Sequence, residues 1–87
     1  MNNLTAIIGG SALSQLPGLH IQERQVVRTP FGEPSGVLIF GQIGQARVVF
    51  LARNGYGRTI APHLINYRAN IWALHSVAVE RIIAVSA

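Results

Sequence analysis

Cysteine, lysine and aspartate are all missing from this chain of 87 residues. Without cysteine there is no disulfide framework and no thiolate metal site, and a reducing cytoplasm is the expected compartment. Without aspartate no Ser–His–Asp set can form, and no motif supports a version built on Glu23, Glu33 or Glu80. His20, His63 and His75 lack metal-ligand spacing and have no acidic cluster beside them. They read as surface or helix-edge residues. No apolar run approaches the roughly 20 residues of a membrane span, because Arg28, Arg47, Arg53 and Arg68 interrupt the candidates. Met1-Asn2-Asn3 lacks the positive start of a signal peptide. A membrane partner is not expected.

Charge is scarce as well. Only 11% of residues are charged, against about 25% in an average domain. A domain this small has much surface for its volume, so this polar coat is too thin for a lone monomer. More chain or partner subunits are expected to cover it, which points to a homo-oligomer. The charge present leans one way, with seven arginines against three glutamates and a net charge of +4. Nucleic-acid surfaces gather their basic residues on one face or in a tail, whereas these arginines are scattered. A small anion suits them better, since the guanidinium fork matches phosphate geometry.

What the chain does have is a series of short apolar runs punctuated by glycine and proline. Ala6-Ile7-Ile8 reads as a buried strand running into Gly9-Gly10-Ser11, with a helical turn after it that stops at Pro17-Gly18. His20 to Arg24 reads as a connection or a strand start, and Gln25 to Thr29 has strand character. Two prolines and two glycines make Thr29 to Gly36 irregular. Val37 to Phe40 and Ala46 to Arg53 predict a hairpin, the second strand apolar enough to be buried on both faces. Asn54 to Arg58 is a loop. A helix is expected to start near Pro62, with Leu64, Tyr67, Ile71, Leu74 and Ala78 as its apolar stripe, widened by Ile65, Ala69 and Trp72. His63, Asn66 and Asn70 fall on its more polar edge, and Trp72 is placed in core or interface. Arg81 to Ala87 predicts a buried strand. Strand, helix and strand in succession imply a parallel crossover within an α/β fold, a mixed central sheet flanked by helices. The chain is expected to be truncated at the end of that last strand, the edge from which ligand-binding loops spring in open α/β sheets.

Three strand ends carry hydrogen-bond donors that suit an oxyanion: Gly9-Gly10-Ser11, Arg53-Asn54-Gly55 and Ser86-Ala87. Paired glycines allow the backbone to approach a ligand closely, and amides, hydroxyls and a guanidinium are the groups that hold phosphate. Each feature alone is commonplace. Gly9-Gly10-Ser11 is not the G-x-G-x-x-G dinucleotide fingerprint.

Taken in order, Ile7-Ile8-Gly9-Gly10-Ser11, Thr29-Pro30-Phe31-Gly32-Glu33-Pro34-Ser35, Leu51-Ala52-Arg53 and Asn66-Tyr67-Arg68-Ala69-Asn70-Ile71-Trp72-Ala73-Leu74 resemble the amino-terminal third of the methylthioadenosine and methylthioinosine phosphorylases. These belong to the trimeric purine nucleoside phosphorylase group. The resemblance implies that residues 1–87 are the amino-terminal portion of one such domain, in homotrimers. It implies phosphorolysis of a methylthio-nucleoside to free purine and 5-methylthioribose 1-phosphate, in purine salvage. No metal or organic cofactor is implied, inorganic phosphate being the co-substrate. Carried over by position, Ser11, Arg53, Asn54, Ser86 and Ala87 are the phosphate-binding residues, and none is catalytic in its own right. The pattern departs at Asn54 and Arg58, where the family usually has histidines. An asparagine still donates through its amide but carries no proton charge. The family's purine-selecting acid and sugar-contacting methionine fall beyond residue 87, so the chain by itself is expected to be inactive. The alternative is a non-catalytic, oligomerising remnant that binds phosphate.

Overall fold

The structure is a computed structural model, and it describes residues 4–10, 15, 17–55 and 60–85. Five strands form one mixed sheet: β1 Leu4–Gly9, β2 Leu19–Gln25, β3 Leu38–Ile43, β4 Ala46–Ala52 and β5 Arg81–Ala84. Their order across the sheet is β2-β3-β4-β1-β5. β1 runs parallel to β4 and to β5, while β2, β3 and β4 are antiparallel neighbours. The β3–β4 turn is tighter than the sequence suggests, since Ile43 pairs directly with Ala46. Only Gly44-Gln45 lies between them, and Gly44 takes the left-handed conformation at φ +59 that such a turn demands.

Helix α1, Tyr67–Ser76, lies within the β4-to-β5 crossover and covers one face of the sheet. Ala73 and Leu74 pack with Leu4, Ala6, Leu38, Val49 and Leu51 in the main core. Alanines at Ala69 and Ala73, both fully buried, keep the helix close to the strands. On the opposite face Ile39, Phe50 and Ala52 form a second cluster with Ile7 and Val37. Val48 to Ala52 are therefore buried on both faces, as their uninterrupted apolar run requires.

Several expectations are corrected. The polar stretch Leu19–Gln25 is a strand, and Val26 to Arg28 are not. β2 is an edge strand, exposed along nearly its whole length, so it needs no apolar face. Its ladder ends where Gln25 meets Leu38. Pro62 opens only a short 3-10 turn, Pro62–Leu64. The helix proper begins after Asn66, whose side-chain Oδ1 accepts the Ala69 N–H at 3.0 Å and caps the first turn. Its buried face is Ala69, Asn70, Ala73 and Leu74, whereas Leu64, Tyr67, Ile71 and Trp72 point outward. Asn70 is thus core rather than polar edge, and Trp72 is not core. Ala78 lies past the helix end with φ +62. β5 is exposed at all four positions, not buried, because it is the sheet's other edge. The expected helical turn before Pro17 lies largely outside the described residues.

Candidate oxyanion site at the parallel strand ends

Parallel pairing puts the carboxyl ends of β4, β1 and β5 on one edge of the sheet. The ladders run one residue past each strand. The Arg53 N–H donates to Gly9 O at 3.0 Å, and the Val85 N–H donates to Ile8 O at 2.8 Å. Gly9, Arg53 and Val85 are therefore side by side.

Arg53 spans all three tips. Its Nη1 donates to Val85 O at 3.1 Å, two strands away, and its Nε donates to Asn54 Oδ1 at 3.2 Å. Two strand spacings are about 10 Å, a distance suited to the longest side chain. Among the described residues neither contact is to a carboxylate. Glu23 lies on edge strand β2, and Glu80 is at the amino end of β5, where its N–H donates to Leu4 O. A guanidinium has five N–H donors, of which two are used among the described residues.

Asn54 closes the loop behind the arginine. Its Nδ2 donates to Ile60 O at 3.2 Å and its own carbonyl accepts the Ile60 N–H at 2.8 Å. Gly55 makes the turn possible, buried and left-handed at φ +78, with its N–H on Ala52 O at 3.1 Å. Of the five residues picked from the sequence, Arg53 and Asn54 meet at this edge. Ser11, Ser86 and Ala87 lie outside the described residues, as does Arg58.

Two further polar residues support the edge and were not singled out from the sequence. Ser35 Oγ donates to Arg53 O at 2.6 Å. Asn70, only 2% exposed, accepts the Ser35 N–H on Oδ1 at 2.7 Å and donates from Nδ2 to Ser35 Oγ at 3.0 Å. The available signal was an asparagine flanked by Ala69, Ala73 and Leu74, since a buried amide must find partners.

The fold is that of an α/β protein with an open mixed sheet, and its parallel strand tips, the edge where ligands of such sheets bind, carry Arg53. Residues 5–87 match the Phosphorylase superfamily, and the chain belongs to that family. It is 49% identical over 82 residues to the probable S-methyl-5'-thioinosine phosphorylase of Pseudomonas syringae pv. tomato, covering 94% of this chain and 33% of that protein. It is 52% identical over 82 residues to the S-methyl-5'-thioadenosine phosphorylase of Hyperthermus butylicus, covering 94% of this chain and 30% of that one. Among solved structures it is similar to a methylthioadenosine phosphorylase from an antarctic soil metagenomic library, with a TM-score of 0.86 and 39% identity over 95% of this chain and 30% of that chain. The chain thus spans about a third of the length of the curated relatives it matches.

Proposed function

We propose that these 87 residues supply the amino-terminal portion, and with it part of the phosphate site, of a phosphorylase domain acting on S-methyl-5'-thioadenosine or S-methyl-5'-thioinosine. The observation that carries this is Arg53, held across three parallel strand tips by two hydrogen bonds, neither of them to a carboxylate. In the reaction the bond from purine nitrogen to the anomeric carbon breaks and its electron pair leaves with the base. A phosphate oxygen forms the new bond to that carbon, giving 5-methylthioribose 1-phosphate. The part assigned to Arg53 is to fix phosphate in position and hold its charge as the base departs. Asn54 would add its backbone N–H or remaining amide proton, with Ser11, Ser86 and Ala87 completing the grip. The reaction needs phosphate as co-substrate and no metal or organic cofactor. The setting is purine salvage in the cytoplasm, with the protein assembled as a homotrimer.

A second reading is a non-catalytic oligomerising module that retains anion binding. It is favoured by the outward apolar face of α1, where Tyr67, Ile71 and Trp72 adjoin Phe31 around a shallow groove. Titrating inorganic phosphate into the chain, followed by amide NMR, tests the site common to both. Saturable shifts at Gly10, Arg53 and Val85 are expected, and their loss in Arg53→Ala. Binding unchanged in that variant, or absent from the parent chain, would overturn the assignment. Phosphate-dependent release of purine from either nucleoside then separates enzyme from module, and the 87 residues alone are expected to release none.

A further inference from the structure

We infer that Asn70 is a positioning residue for the oxyanion-binding arginine, acting through the hydroxyl of Ser35. The inference rests on the assignment of Arg53 to phosphate and deepens it. A serine hydroxyl has one proton to give and two lone pairs. Asn70 uses both ends of its amide on the same residue, accepting the Ser35 N–H at 2.7 Å and donating to Ser35 Oγ at 3.0 Å. With Oγ already accepting from Asn70, its single proton is directed to Arg53 O, 2.6 Å away. Asn70 is 2% exposed and Ser35 9%, so water does not compete for these groups.

The consequence falls on the root of the arginine side chain. Arg53 is tied at its N–H to Gly9 O, 3.0 Å, and at its carbonyl to Ser35, so the backbone is pinned on both sides of its Cα. A long side chain rooted this firmly surrenders less freedom when it grips an anion. Helix α1, packed over β1, thereby sets the position of a guanidinium at the strand edge through a single hydroxyl.

Two variants and a rescue test this. Ser35→Ala removes the donor to Arg53 O. Asn70→Asp keeps the volume but replaces the amide donor by an acceptor, which draws the Ser35 proton away from Arg53 O. Ser35→Thr keeps the hydroxyl. The first readout is hydrogen exchange at Arg53 Nε–H relative to that of the Val49 and Leu51 amides in the core, a ratio that a general loss of stability would leave unchanged, and the second is the Kd for inorganic phosphate. Ser35→Ala and Asn70→Asp are expected to speed that exchange and weaken phosphate binding, each by about fivefold, as loss of one net hydrogen bond does. Ser35→Thr is expected to remain near the parent chain.

A folded Ser35→Ala with unchanged exchange at Arg53 would overturn the inference, even if it melted earlier. If Ser35→Ala does not fold, the equal-shaped pair Ser35→Thr and Ser35→Val decides. Failure of the valine form to fold would assign the hydroxyl to stability alone and overturn the proposal too. Should the parent chain bind no phosphate, the oxyanion assignment falls, while exchange at Nε–H still decides whether Asn70 positions Arg53.

Discussion

At Arg53 the question is whether charge or reach matters. A lysine would keep the positive charge but present it as a single point, with no planar fork. It has no counterpart to the Nε–H on Asn54 Oδ1, and cannot hold that contact together with Val85 O as the guanidinium does. Arg53→Lys is therefore expected to fold and to bind phosphate about tenfold more weakly, as loss of a charge-assisted hydrogen bond does. Isothermal titration with inorganic phosphate measures it, and equal affinity would mean that net charge alone suffices. This arginine stood out in the sequence because it follows a five-residue apolar run, Val48 to Ala52, and so had to emerge at a strand tip. Ser35 and Asn70 did not stand out. Their importance comes from a contact across 35 positions of chain, and nothing local to Pro34-Ser35-Gly36 signals it.

Helix α1 shows how a periodicity can be right while only part of its face is, since Ile65, Ala69 and Leu74 of the expected stripe are buried. Leu64, Tyr67, Ile71 and Leu74 are spaced as a stripe, but the residues turned to the sheet are Ala69, Asn70, Ala73 and Leu74. Large side chains drew attention to the outer face, while small ones let the inner face approach the strands. The two positions make a sharp comparison. Leu74→Ala should cost about 2–5 kcal/mol, the usual loss for a leucine removed from a packed core. Ile71, 47% exposed, should cost no more than about 0.5 kcal/mol when replaced by alanine, as at other surface sites. Urea unfolding of both variants measures this, and equal losses would refute the helix orientation. β2 was read only as a connection or a strand start for the complementary reason. An edge strand that buries neither face carries no hydrophobic alternation, so His20 to Arg24 offered composition without pattern. The hairpin and β4 were legible because their burial is written into unbroken apolar runs closed by glycine.

For the molecule as a whole, the thin polar coat inferred from composition has a location. Apolar side chains are exposed at Phe31, Tyr67, Ile71 and Trp72 on the helix side, and at Ile82 and Ile83 on edge strand β5. The β5 pair faces both ways. Ile82 is in register with Ala6 of the main core, and Ile83 with Ile7 of the second cluster. Among the described residues β5 is thus exposed on both sheet faces, and as the last strand of the sheet it is a place where another strand can add. No helix among the described residues is long and apolar enough to cross a membrane.

The chain is therefore expected to self-associate with increasing concentration, and light scattering would report its mass. Ile71→Glu with Trp72→Glu places charge in the aromatic groove, while Ile83→Lys places it on the strand edge. If the groove is the contact, the first pair lowers the mass and Ile83→Lys leaves it unchanged; if the edge is the contact, the order reverses. Tyrosine, tryptophan and arginine are the residues most enriched at the energetic centres of interfaces, and here Arg68 already stacks on Phe31 at 5.2 Å from its ring centre. The groove is accordingly expected to dominate. A parent chain that stays monomeric across the whole concentration range would remove self-association as the reason for so uncharged a surface.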